Sequence, residues 1–171
     1  MEKKANNEDK IMWKVMIVDD EKLICKLVQA LVEWDKLGMQ MAAQAENAIQ
    51  ALDMLQQYRP DILITDIRMP GMDGLELIKN AKKICPELEI IIISGYAHFE
   101  YARNALSLGV GNYLLKPIKQ DELNETLRKV GERLDAKKSA QGMEMAERRV
   151  SESDVNRLRS ALLKDLVEDA Y

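Results

Sequence analysis

Two apolar runs in this chain end in acid. Val15-Met16-Ile17-Val18 leads into Asp19 and Asp20, and Ile62-Leu63-Ile64-Thr65 leads into Asp66. Short apolar runs of this kind read as buried strands, and such strands end where a sheet meets its loops. The two runs therefore present three carboxylates at one rim. Folding needs no such gathering of like charges. They repel, and their ionised forms require a counter-charge. A divalent cation with oxygen ligands meets that need, and Mg²⁺ commonly takes one or two carboxylates together with phosphate oxygens. The pattern points to phosphoryl chemistry.

The rest of the chain alternates around these runs. Strand-like segments lie at 14–19, 39–45, 62–66, 90–94 and 113–115, with helix-period segments between and after them. Leu23, Leu27, Val28, Leu31 and Val32 share one face of the first helix, and Ala48, Ala51, Leu52 and Leu55 one face of the second. Leu75, Leu77, Ile78, Ala81 and Ile84 mark the third, and Tyr101, Ala102, Ala105, Leu106 and Leu108 the fourth. Strands alternating with helices argue for an α/β fold, a parallel sheet covered on both faces. The runs 62–64 and 90–93 read as strands buried on both sides. Breakers agree with the scheme: Pro60 before the third strand, Pro70, Gly71 and Gly74 after Asp66, Pro86 after the third helix, Gly109 and Gly111 after the fourth. In open α/β sheets ligands bind beyond the carboxyl ends of the strands, where strand order reverses. Asp19, Asp20 and Asp66 belong at that rim.

The 171 residues fit one domain plus an appendage, and the net charge of −4 leaves no stretch basic enough to bind nucleic acid by itself. The polar first segment, residues 1–12, reads as disordered and carries no apolar core of a signal peptide. No apolar run is long enough to cross a bilayer, so the expectation is a cytoplasmic protein without a membrane partner. Cys25 and Cys85 lie in apolar segments without metal-like spacing and read as buried free thiols. The lone His98 reads as a surface or cap residue, and the methionines as core filler.

Two further residues converge on the same rim. The fourth strand ends in Ser94 and the fifth is followed by Lys116, a point cation suited to phosphate oxygens. At this point the chain resembles the receiver domain of two-component response regulators. The stretches that carry the resemblance are Val18-Asp19-Asp20-Glu21, Thr65-Asp66-Ile67-Arg68-Met69-Pro70-Gly71-Met72-Asp73-Gly74, Ile93-Ser94-Gly95-Tyr96 and Tyr113-Leu114-Leu115-Lys116-Pro117. They cover about residues 13–133 in the family's order. The resemblance implies a flavodoxin-like, doubly wound (βα)5 sheet of order 2-1-3-4-5.

The resemblance also implies roles. Asp66 is the phosphoacceptor, taking a phosphoryl group from a sensor histidine kinase. Asp20 binds Mg²⁺ directly, Asp19 mainly through water, and Asp66 with the backbone carbonyl of Arg68 completes the protein ligands. Lys116 neutralises a phosphoryl oxygen, and Lys116–Pro117 is a cis peptide. Ser94 and Tyr113 form a switch: Ser94 moves toward the phosphoryl group and Tyr113 turns inward, altering the face made by the fourth helix, fifth strand and fifth helix. A separate expectation comes from spacing: Arg68 and Tyr96, two residues after Asp66 and Ser94, flank the acyl phosphate, where bulky side chains would hinder the hydrolytic water. Such a domain catalyses its own phosphorylation and dephosphorylation without being a turnover enzyme.

The segment from Ser94 to Ala102 resembles the subgroup joined to AraC-type helix-turn-helix domains through a charged helical linker. Residues 134–171 read as that linker, and the DNA-binding output domain that would follow is missing, through truncation or because the chain is naturally short, with truncation the favoured reading. The fifth helix starts near Lys119, with Leu123, Leu127, Val130 and Leu134 as its stripe; Gly142 is a weak point, and Ser151-Glu152-Ser153-Asp154 is a capping box opening a last helix. Val155, Leu158, Leu162, Leu166 and Ala170 stripe that helix. A homodimer through the fifth-helix face or these C-terminal helices is one reading of the stripes, and packing against the chain's own receiver is the other. A phosphate-independent scaffold is disfavoured by the complete set Asp19, Asp20, Asp66, Ser94 and Lys116. An aspartyl phosphatase lacks its Asp-x-Asp strand, and a dinucleotide binder lacks a glycine-rich loop after the first strand.

Overall fold

The structure, a computed structural model, describes residues 11–95 and 99–168, without the side chains of 99 and 165–168. Readings placed on residues 1–10, Tyr96, His98, Ala170 and the side chain of Leu166 lie outside the described residues. Strands β1 (Trp13–Val18), β2 (Met39–Ala45), β3 (Ile62–Thr65), β4 (Glu89–Ser94) and β5 (Asn112–Leu115) form one parallel sheet in the order β2-β1-β3-β4-β5. The helices are α1 (Lys22–Leu31), α2 (Trp34–Leu37), α3 (Ala48–Tyr58), α4 (Gly74–Ile84), α5 (Phe99–Ser107) and α6 (Gln120–Glu168). The chain leaves β1 for β2 on one side and returns to β3 on the other. Strand order therefore reverses at β1, and the crevice beyond β1 and β3 is the switch point of a flavodoxin-like doubly wound fold.

Burial explains the unbroken apolar runs. Met16, Val18, Leu63, Ile90 and Ile92 pack with Ala48, Ala51 and Leu55 of α3 and Leu77, Ile78 and Ala81 of α4 in one cluster. The alternating residues Ile17, Ile64 and Ile91 are buried as well, so both faces of the central strands are covered. Leu123, Leu127, Val130 and Leu134 of α6 are all buried, as their spacing predicts. Register then aligns the chemistry. Val18 pairs with Thr65 and Ser94 with Leu115, so Asp19 stands beside Asp66 and Lys116 follows Ser94's neighbour.

The structure corrects several sequence expectations. In α1 the buried residues are Cys25 and Val28, with Val32 just beyond; Leu23 is 76% exposed and Leu27 41%. Apolar residues occupy nearly every position from 23 to 28, so spacing alone could not choose the face. Leu106 of α5 also faces water. Cys25 is buried, whereas Cys85 is only partly so; both are free thiols. The short helix α2 was not foreseen; it closes on Gly38, whose φ of 66° suits a left-handed cap. Finally, α6 runs unbroken through Gly142 and Ser151 where a weak point and a new helix start were expected. Gly142 costs the helix only about 1 kcal/mol relative to alanine, and no proline follows to stop propagation.

The chain divides into two compact units between Gly131 and Glu132. In the second unit the described side chains of 135–164 are all exposed. Among the described residues no helix is long and apolar enough to cross a membrane.

Candidate functional site

Three strand ends build the site. Asp19 follows β1 and is 3% exposed, Asp66 follows β3 and is 6% exposed, and Asp20 points to solvent. One carboxylate oxygen from each lies within 4.8 Å of the others. The Lys116 ammonium reaches in from the end of β5, donating to Asp66 Oδ2 at 2.9 Å and to Asp19 Oδ2 at 3.2 Å. The Lys116–Pro117 bond is cis, as the resemblance implies. The Asp66–Lys116 pair joins residues 50 apart, and the Asp19–Lys116 pair residues 97 apart. Only the register of the sheet brings them together.

Backbone donors complete the cage. Glu21 N–H donates to Asp19 Oδ1 at 2.9 Å, and Ile67 N–H donates to Asp66 Oδ1 at 2.6 Å. The Cys25 thiol donates to the backbone carbonyl of Asp19 at 3.7 Å. Burial pushes that thiol up to about 11, with the Asp19 charge acting in the same direction, so it stays protonated. No buried side-chain polar atom among the described residues lacks a hydrogen-bond partner.

The charges in the cage are unevenly satisfied. Burial raises the Asp19 carboxyl above the ordinary aspartate range, and the repulsion from Asp66 adds to it; the Glu21 amide and Lys116 offset only part. For Lys116 burial works against the ammonium, but the hydrogen bond to Asp66 and the two negative charges prevail and hold it above the ordinary lysine range. One ammonium serves two carboxylates, so its charge is doubly compensated, whereas for Asp19 burial outweighs its two partners. Three carboxylate oxygens at this spacing, one of them solvent-facing, form a hard-oxygen donor set of the kind Mg²⁺ takes.

The remaining predicted residues lie close by. Ser94 is fully buried at the end of β4, and its carbonyl accepts from Lys116 N–H at 2.9 Å. Its side chain shares a hydrogen bond with Tyr113, whose hydroxyl burial holds above the ordinary tyrosine range. Arg68 is exposed on the loop after β3, lining an open cavity of about 320 Å³ with Met69, Pro70, Asp73 and Tyr101. Sequence reasoning missed the amides of Glu21 and Ile67 and the hydrogen bond of the Cys25 thiol. Backbone donors carry no residue-type signal.

Comparison with known proteins agrees with the geometry. Residues 15–128 match the family described as the response regulator receiver domain. The transcriptional regulatory protein YesN of Bacillus subtilis is 39% identical over 119 residues, 70% of this chain and 32% of that protein. The transcriptional regulatory protein HptR of Staphylococcus aureus is 32% identical over 135 residues, 79% of this chain and 53% of HptR. The chain thus spans about a third to a half of the curated relatives it matches. Among solved structures, the REC domain of AraT, a response regulator from Geobacillus stearothermophilus, superposes with a TM-score of 0.71 at 39% identity, covering 74% of this chain and 98% of that one. A two-component transcriptional regulator AraC from Clostridium phytofermentans gives 0.67 at 33% identity, covering 75% and 98%. With its acidic cage, bridging lysine and reversed strand order, this chain belongs to the response regulator receiver domain family.

Proposed function

We propose that this receiver accepts a phosphoryl group on Asp66 from the phosphohistidine of a sensor histidine kinase. An Asp66 carboxylate oxygen attacks phosphorus in line with the histidine nitrogen. The P–N bond breaks, an acyl-phosphate P–O bond forms, and the imidazole leaves. Little covalent assistance is needed in such a transfer; positioning and charge neutralisation do most of the work. Asp19, Asp20, Asp66 and the carbonyl of Arg68 would hold Mg²⁺, which when bound supplies positive charge to the transferring group. Lys116 stabilises a phosphoryl oxygen from the other side, exchanging its present contact with Asp66 for one with the product. Hydrolysis of the acyl phosphate resets the domain.

The output is a population shift. Ser94 trades its hydrogen bond with Tyr113 for one to the phosphoryl group, and Tyr113 repacks, which alters the face of α5, β5 and the start of α6. That face, or the helix beyond it, pairs with a second copy. The state is read by a DNA-binding output of the kind carried by transcriptional relatives, in the cytoplasm.

One observation carries this reading: the Lys116 ammonium bridges Asp19 and Asp66 inside a three-carboxylate cluster. The test is intact mass after incubation with acetyl phosphate and Mg²⁺. Wild type gains one phosphoryl group and Asp66→Asn gains none; equal labelling of the two removes Asp66 from the role.

A further inference from the structure

Two residues outside the charged cage meet on a single atom, the backbone oxygen of Asp66. The hydroxyl of Thr65, a residue 1% exposed, donates to that oxygen at 2.9 Å. Gly74, the first residue of α4, presses on the same place. A methyl group there would overlap the Asp66 oxygen and lie 2.8 Å from the Asp66 carbonyl carbon and 2.9 Å from the Ile67 Cα. Gly74 N–H also donates to the Ile67 carbonyl at 2.7 Å.

The far end of that peptide unit is the Ile67 N–H, which holds Asp66 Oδ1 at 2.6 Å. A peptide unit is planar and turns as one body. Whatever fixes its carbonyl therefore fixes the amide that aims the carboxylate. The same unit leads into the loop that carries the Arg68 carbonyl. A threonine here is not explained by strand packing, since valine fills a buried strand position equally well and brings no hydroxyl to satisfy. The last paired residues of β3 are Thr65 with Val18 and with Ile92, so the Asp66 carbonyl lies past the ladder, where a side chain can take the place of a strand partner.

We propose that Thr65 is a positioning residue: its hydroxyl, backed by the close approach of Gly74, locks the Asp66–Ile67 peptide plane and so sets the aim of the Asp66 carboxylate. The inference rests on the reading of Asp66 as phosphoacceptor and deepens it.

The test compares the full chain with Thr65→Val, Thr65→Ser and Thr65→Ala. Valine keeps the shape and loses the hydroxyl; serine keeps the hydroxyl and loses the methyl. Three readouts are taken: the rate of labelling by acetyl phosphate, Mg²⁺ affinity from thermal shift without any donor, and stability in urea. Thr65→Val is expected to label roughly tenfold more slowly and to bind Mg²⁺ several-fold more weakly, the scale of one lost hydrogen bond, while matching or exceeding wild-type stability. Thr65→Ser stays within about twofold of wild type in labelling despite a lower stability. A packing role predicts the reverse order, with serine the poorer of the two. Should valine fail to fold, serine against alanine makes the same comparison, because both lack the methyl and only serine keeps the hydroxyl. Wild-type labelling and Mg²⁺ affinity in Thr65→Val, or equal losses in serine and alanine, overturn the lock. The Mg²⁺ titration needs no phosphate, so it judges the lock separately from the phosphoacceptor reading, which fails if wild type takes no label.

Discussion

The same spacing of apolar residues occurs twice on α6 with opposite outcomes. Leu123, Leu127 and Val130 are buried to completion. Val155, Leu158 and Leu162, spaced three and four apart like the first set, are 57%, 66% and 64% exposed. Amphipathic spacing states which face of a helix would be buried, not whether anything is there to bury it. The first stripe is buried within its own unit. The side chains of the second are exposed. The acidic rim offers a parallel contrast. There the unfavourable feature, buried like charge, is what the proposed phosphoryl transfer would use.

The largest effect should fall at the rim. Asp66→Asn removes phosphoryl uptake altogether, and Lys116→Ala slows it by roughly 10²–10³-fold, the loss typical of a group that neutralises transition-state charge. A Lys116→Ala chain that labels normally by intact mass would separate the lysine from the reaction.

The helix comparison comes next. Leu127→Ala should destabilise the receiver by about 2–5 kcal/mol, whereas Leu158→Ala should change it by less than about 0.5 kcal/mol, both read from urea unfolding. A second copy pairing along the C-terminal stripe would break that contrast: Leu158→Ala would then lower the sedimentation coefficient at high concentration while sparing the receiver.

Asp19 sharpens the rim. Its carboxyl is held above the ordinary value of 3.8 by burial, so the protonated form is the one folding favours. The contribution is present in full below that ordinary value and is lost as pH rises through the raised one, which leaves ionised Asp19 a cost at neutral pH. In EDTA, Asp19→Asn should therefore be more stable than wild type near neutrality, with the gain vanishing in acid, as buffered urea titrations would show. Lys116 carries the same sign at the other end of the scale: its stabilising contribution persists below the ordinary lysine range and fades as pH climbs through its raised value.

The most local effect belongs to Gly142. Replacement by alanine meets open space, and should firm the exposed helix by up to about 1 kcal/mol. The gain should appear in amide exchange around residues 139–146 and not in global unfolding of the receiver. Protection unchanged there would mean that the helix is held by something other than its own propensity.

Much of the fold was legible because its signals are local. Strands ending in Asp19, Asp66 and Ser94, the glycine and proline breakers, and the stripe from Leu123 to Leu134 each lie within a few residues of sequence. The face of α1 was not legible, because residues 23–28 are apolar almost throughout and only docking distinguishes Cys25 from Leu23. Helix α2 escaped notice because four residues carry no period. The continuity of α6 is not legible, because a weak point at Gly142 and a cap signal at Ser151 each weigh less than helix propagation.

Residue type and spacing alone determined that this chain alternates strand and helix, and that its strands deliver carboxylates, a hydroxyl and an ammonium to their ends. The tertiary structure alone decided the distances: Lys116 at 2.9 Å from a residue 50 positions away, an amide aimed at Asp66 Oδ1, and a threonine hydroxyl spent on a backbone carbonyl. The reason is physical. Propensity and periodicity are properties of neighbours in the chain, whereas burial, hydrogen-bond partners and the balance of charge depend on which strands lie side by side.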